Sequence, residues 1–154
     1  MAKENIFVMN ADWKLTKNKK KYFAGTAILN DLSKTIATKE QKVYTVLFKR
    51  GARTKLHYHM GEQMLIITKG KGVLVTYHRI LGNYKKRLRI KKMKEISLHR
   101  GDIVYIKPRQ LHWHGSKDKK MDFSHIAINS NISGKEAKTV WFESDYETFA
   151  ERMN

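Results

Sequence analysis

Two pairs of histidines are the side chains of this chain best placed to do chemistry: His57 and His59 in LHYHMGEQ, and His112 and His114 in LHWHG. The members of each pair are one residue apart. On a β-strand, where side chains alternate between faces with a period of two, both imidazoles of a pair therefore face the same way. Gln63 keeps the parity of His57 and His59 on the far side of Gly61. Neutral imidazoles converging on one point are what a divalent transition metal requires. The chain has no cysteine, which closes thiolate sites and disulfides and leaves histidine, glutamine and carboxylate as donors. Glu62 is a competing oxygen donor, one residue out of register and on the opposite face of a regular strand. The bland alternative is a set of histidines that only hydrogen-bond inside a core.

The elements that must position these residues read as short strands over residues 22–29, 42–48, 55–59, 63–68 and 73–81, separated by Gly, Asn and Asp turns. No helical periodicity occurs within residues 22–128, so the pattern predicts an all-β sandwich or barrel. One short C-terminal helix is expected, because Ser144 and Glu147 have capping-box spacing and Tyr146, Phe149, Ala150 and Met153 recur on one face. From Gln63 to Lys94 there are ten Lys and Arg residues and no Asp or Glu. Arg87, Arg89 and Lys91 alternate with Leu88 and Ile90, which with the preceding strand and a Gly82-Asn83 turn predicts a long basic hairpin.

At 154 residues the chain is expected to be one domain, with a lysine-rich start over 1–21, a barrel over about 22–130 and a tail with its helix over about 131–154. The start lacks the apolar core of a signal peptide, and the apolar runs are too short for a bilayer. The expectation is a cytoplasmic protein with no membrane partner. A formal net charge of +18 favours anionic substrates or polyanions. Nucleic-acid contact through the hairpin at 77–94 is a minor reading, since only Tyr77 and Tyr84 are there to stack on bases.

Gly51, His57, His59, Gln63 and Gly70 meet the pattern G-x5-H-x-H-x3-[EQ]-x6-G, and Gly101, the turn around Pro108 and His112 supply its partner. The two stretches resemble the signature motifs of the cupin superfamily. The resemblance implies a cupin jelly-roll barrel, a double-stranded β-helix. It also implies one divalent transition metal held by His57, His59, Gln63 and His112. Manganese or iron is the ion that family habit favours, with nickel, zinc, copper and cobalt compatible with imidazole. Gln63 stands where most cupins carry glutamate. A neutral amide there leaves the charge of the ion uncompensated, which favours anionic ligands and Lewis acidity toward a bound oxygen.

Tyr22-Phe23-Ala24-Gly25-Thr26, Gly51-Ala52-Arg53-Thr54, His112-Trp113-His114-Gly115 and His125-Ile126-Ala127-Ile128 are similar to the small bacterial cupins that include the cupin-type hydroxynitrile lyases and the cupin relatives of carboxymuconolactone decarboxylase. This closer resemblance implies that His125 assists proton transfer, and in the absence of perturbation an imidazole has a pKa near neutrality, suited to moving the proton. From the residues themselves, His114 shares the parity of His112 and points inward as a pocket group, with a hydrogen-bonded wall residue as the bland alternative, while Tyr44 and Val46 shape the pocket and Tyr44 donates to substrate. His125, His114 and Tyr44 are the catalytic candidates. The chain departs from those lyases at Asn129, a glutamine in them, and at Tyr44, a small residue in them. Trp113 reads as core. The function expected is lyase-like chemistry on a small organic molecule by a Lewis-acid metal and histidine proton transfer. A metal-dependent dioxygenase and a non-catalytic ligand-binding or regulatory cupin are the alternatives. A homodimer is expected, formed so as to cover an exposed hairpin edge.

Overall fold

The computed structural model describes residues 16–17, 21–35, 38–81, 86–143 and 147–154, the first two as backbone only. In chain order the first strands are β1 (Thr16–Lys17), β2 (Phe23–Ala24), β3 (Ala27–Asp31), β4 (Gln41–Phe48), β5 (Arg53–Thr54), β6 (His57–His59) and β7 (Gln63–Lys69). They are followed by β8 (Lys71–Ile80), β9 (Arg87–His99), β10 (Ile103–Ile106), β11 (Leu111–Ser116), β12 (Phe123–Ser130), β13 (Thr139–Trp141) and β14 (Phe149–Glu151). A single 3-10 turn at Leu32–Lys34 is the only helical piece among the described residues, and none is long and apolar enough to cross a membrane.

Two antiparallel sheets face one another. One runs β1-β3-β4-β12-β7-β10, the other β13-β6-β11-β8-β9-β14, with β2 and β5 attached through β11. Alternation along each strand decides what faces inward. On β12, Phe123, His125 and Ala127 are buried while Ile126 lies on the outer side. Phe48, Leu65, Leu74, Leu98 and Phe123 make the core between the sheets. Gly70 turns β7 into β8 with φ of 75°, and a Cβ there would run into the carbonyl oxygen of Asp122, so both backbone freedom and close approach call for glycine.

A second core lies on the back of the eight-stranded sheet, where Leu56, Val75, Tyr77, Ile90 and Leu111 are covered by Val140, Phe142 and Ala150 from the C-terminal segment. This corrects the expected C-terminal helix. Residues 149–151 are a strand, and they pair with Arg87–Arg89 of β9, Ala150 opposite Leu88. Ala150 is buried completely. The edge of β9 offers a ladder of backbone partners and a ready apolar surface, and those distant contacts outweigh a local 3.6-residue periodicity. Of the residues behind the helix expectation, Ser144 and Tyr146 lie outside the described residues.

The basic hairpin is present as β8 and β9, with a register shift between Thr76 and Tyr77. Its expected turn at Gly82-Asn83, Tyr84, and the side chains of Lys14, Lys17, Lys19 and Lys20 lie outside the described residues. Trp113 points to the second core, its Nε1 donating to the Tyr77 hydroxyl at 3.1 Å.

Candidate metal centre

His57 and His59 leave β6 on one face, and His112 on β11 stands opposite His57 in the ladder. The ligating nitrogens of the three lie within 4.8 Å of one another. Each ring is held by its Nδ1: His57 at 2.8 Å from the Lys55 carbonyl, His112 at 2.7 Å from the Gln110 carbonyl, and His59 at 2.9 Å from the Thr139 hydroxyl. A carbonyl can only accept. Nδ1 of His57 and His112 must therefore carry the proton, and Nε2 is left as a lone-pair donor.

The Nε2 atoms of His59 and His112 are buried without a hydrogen-bond partner, and so is Oε1 of Gln63. Gln63, at the start of β7, lines the same cavity and gives its amide N–H to Asn129 Oδ1 at 2.8 Å. That bond spends the donor end of the amide and leaves the oxygen free. Buried polar atoms without partners cost about 1–3 kcal/mol each, so their presence together points to a group that would satisfy them, with His59 in the tautomer that donates from Nδ1 to the Thr139 hydroxyl. The donor set fits a divalent metal. Glu62, the competing donor, is turned away: it accepts from the Tyr105 hydroxyl at 2.7 Å and the Ser130 hydroxyl at 3.3 Å.

Burial sets the protonation. It pushes His59 down to about 3 and His112 to about 4. His57 is lowered well below the usual imidazole value, by burial first and then by its histidine neighbours. Neutral imidazoles are the form a metal binds.

Two further histidines continue the row. His114 stands two residues after His112, and His125 Nε2 lies 3.2 Å from His114 Nδ1. Burial pushes His125 to about 3 and, with the neighbouring His125 and metal-site rings, holds His114 well below its ordinary value. The near-neutral value of an unperturbed imidazole therefore does not apply to His125: a fully enclosed ring loses the water that would solvate its charged form.

These groups open onto a cavity of about 800 Å³, walled by Phe23, Leu29, Val46, Phe48 and Trp141. At its rim Tyr44, half-buried, donates to Glu136 at 3.4 Å, and Lys42 spans Asp31 at 3.9 Å and Glu136 at 3.6 Å. Burial and the Glu136 carboxylate hold Tyr44 firmly in the phenol form. The Tyr44 hydroxyl expected to meet substrate is thus already turned to Glu136.

Thr139 and Trp141 belong to the site without having been picked out in the sequence. Trp141 stacks on His57 at 4.3 Å with planes 26° apart, and both residues sit on β13, in the segment expected to be tail. The alternation Thr139, Trp141 was the available signal, but a three-residue strand carries too little pattern to be recognised without its partner β6.

Comparison with known proteins agrees with the fold. The profile of the cupin family matches residues 12–150. The (R)-mandelonitrile lyase of Granulicella tundricola is 30% identical over 114 residues, covering 74% of this chain and 76% of that protein. Among solved structures, a cupin-like protein from Thermotoga maritima has a TM-score of 0.63 at 29% identity, covering 92% of each chain. A predicted oxalate decarboxylase from the same organism has a TM-score of 0.61 at 17% identity, over 82% of this chain and 100% of that one. At that identity the likeness is one of fold.

Proposed function

The chain belongs to the cupin family, and on that footing we propose that it is a divalent-metal-dependent enzyme of the lyase type acting on a small hydroxyl- or carbonyl-bearing organic molecule. The observation that carries the reading is the set of buried, unpartnered atoms His59 Nε2, His112 Nε2 and Gln63 Oε1, beside His57, with His57, His59 and Gln63 lining a large, mostly apolar cavity. The likeness to a mandelonitrile lyase supports the reaction type.

An ion held by His57, His59, His112 and Gln63 would supply Lewis-acid polarisation of a substrate oxygen. The chain's own residues do the rest. The aromatic and aliphatic walls exclude water and take the apolar body of the substrate. His125 and His114 are neutral at physiological pH, and His125 Nδ1 has no hydrogen-bond partner. In cleavage, His125 takes the hydroxyl proton. The O–H electron pair becomes the carbonyl bond, and the leaving carbon departs with the electrons of the broken C–C bond and takes the proton that His125 accepted, which returns His125 to its neutral form. Such proton transfer contributes roughly 10²–10⁴-fold. Tyr44 and its bond to Glu136 narrow the mouth, favouring a smaller or more polar substrate than a cavity without that ring would accept.

The test is elemental mass spectrometry on protein purified without a metal-affinity step, with His57→Ala and Gln63→Ala beside it, followed by cyanohydrin cleavage assays. Stoichiometric metal, lost in His57→Ala and weakened in Gln63→Ala, together with cleavage, is expected. Absence of metal after reconstitution with manganese, iron, nickel and zinc would overturn the reading.

A further inference from the structure

The ribbon where β8 and β9 run beyond the bulge carries positive charge that the metal centre does not use. In its ladder His78 lies opposite Lys91 and Ile80 opposite Arg89. Among the described residues, Lys92 of this ribbon pairs with Glu95 at 2.7 Å, and β14 brings Glu151 opposite Arg87. Ten Lys and Arg between Gln63 and Lys94 are thus offset by few carboxylates. Like charges set side by side across a ladder cost stability.

Where this ribbon meets the turn before β11 there is a second cavity, of about 290 Å³, lined by Tyr77, His78, Arg79, Arg109, Gln110 and Leu111 and by no carboxylate. Arg79 is fixed on two sides: its guanidinium lies 4.1 Å from the centroid of the Tyr58 ring, and Nη2 donates to the Arg109 carbonyl at 3.3 Å. Arg109 has φ of 63°, in the left-handed region that glycine occupies freely and a side chain does not. Its backbone N–H donates to the His59 carbonyl at 2.7 Å, a bond that glycine would make equally well. The fold alone would be served better by glycine, so the arginine side chain is what the strained position retains.

We propose that this cavity binds a phosphate group, with Arg79 and Arg109 as paired guanidinium donors. Guanidinium forks match phosphate oxygens in planar, charge-assisted pairs, and Arg79 is pre-ordered for that role. The phosphate belongs either to a small free anion or to the phosphodiester backbone of a nucleic acid lying along the ribbon.

The experiment titrates the full-length protein with pyrophosphate by calorimetry and with a labelled single-stranded oligonucleotide by anisotropy, at roughly 50 and 200 mM salt. Arg109→Gly, Arg79→Gln and His57→Ala are run in parallel. Arg109→Gly is expected to melt at or above the wild-type temperature yet to bind about ten-fold more weakly, with Arg79→Gln weakened similarly. His57→Ala should bind as wild type does. Pyrophosphate binding alone identifies a free anion. Oligonucleotide binding with a salt slope that falls by about 1 in Arg109→Gly identifies a phosphodiester. No response to either probe, unchanged affinity in both arginine variants, or binding lost only in His57→Ala would each overturn the proposal.

Discussion

Asn129 illustrates how much depends on which atom of a side chain is already engaged. Its Oδ1 accepts the Gln63 amide proton at 2.8 Å, and that bond decides that Gln63 offers oxygen, not nitrogen, to the cavity. A glutamine free to rotate would present either end. Replacing Asn129 by alanine should therefore weaken divalent-metal affinity about 10–100-fold in a chelator-competition titration, with Asn129→Asp, which still accepts, restoring it. Equal affinity for wild type and Asn129→Ala would show that Gln63 needs no such partner. The residue is half-buried and on a central strand, so the melting temperature should move much less than the affinity.

At the scale of elements, β14 and β13 matter more than their three-residue lengths suggest. β13 presents Trp141 to His57 and Thr139 to His59, while β14 seals the second core with Ala150 against β9. Neither strand would hold alone; each exists because a neighbouring strand supplies its hydrogen bonds and an apolar surface. Ala150→Pro removes a ladder donor and puts a ring where no space remains, at a cost of about 3 kcal/mol or more, so thermal unfolding should begin several degrees lower. A melting temperature equal to wild type would mean that the C-terminal segment contributes no stability. The hairpin edge expected to be exposed carries β14 along Arg87–Arg89, which brings Glu151 beside the basic ribbon.

For the molecule as a whole, five buried histidines tie stability to pH. His57, His59, His112, His114 and His125 are all held neutral, with His59 and His125 near 3 and His112 near 4. In the unfolded chain each gains a proton as pH falls through about 6.5. The unfolded state thus binds more protons in the window below 6.5, so stability is full above it and declines with acid, by about 1.4 kcal/mol per pH unit for each histidine. Urea unfolding of metal-free protein should give midpoints that fall steeply from pH 6.5 to 4.5 and level off above 7. A flat profile over that interval would contradict the enclosure of these rings.

The shared face of the candidate donors and the barrel were legible in the sequence because both rest on period-two spacing: His57, His59 and Gln63 share a face on any extended chain, and alternating apolar residues declare a strand. The acidity of the histidines, the turning of Tyr44 toward Glu136, the service of Trp141 and Thr139 and the conversion of the expected last helix into β14 all depend on residues far away along the chain. Desolvation is a property of everything packed around a ring, and a strand of three residues is defined by its partner. Local pattern can name which side chains face together, but tertiary contact alone decides what they face.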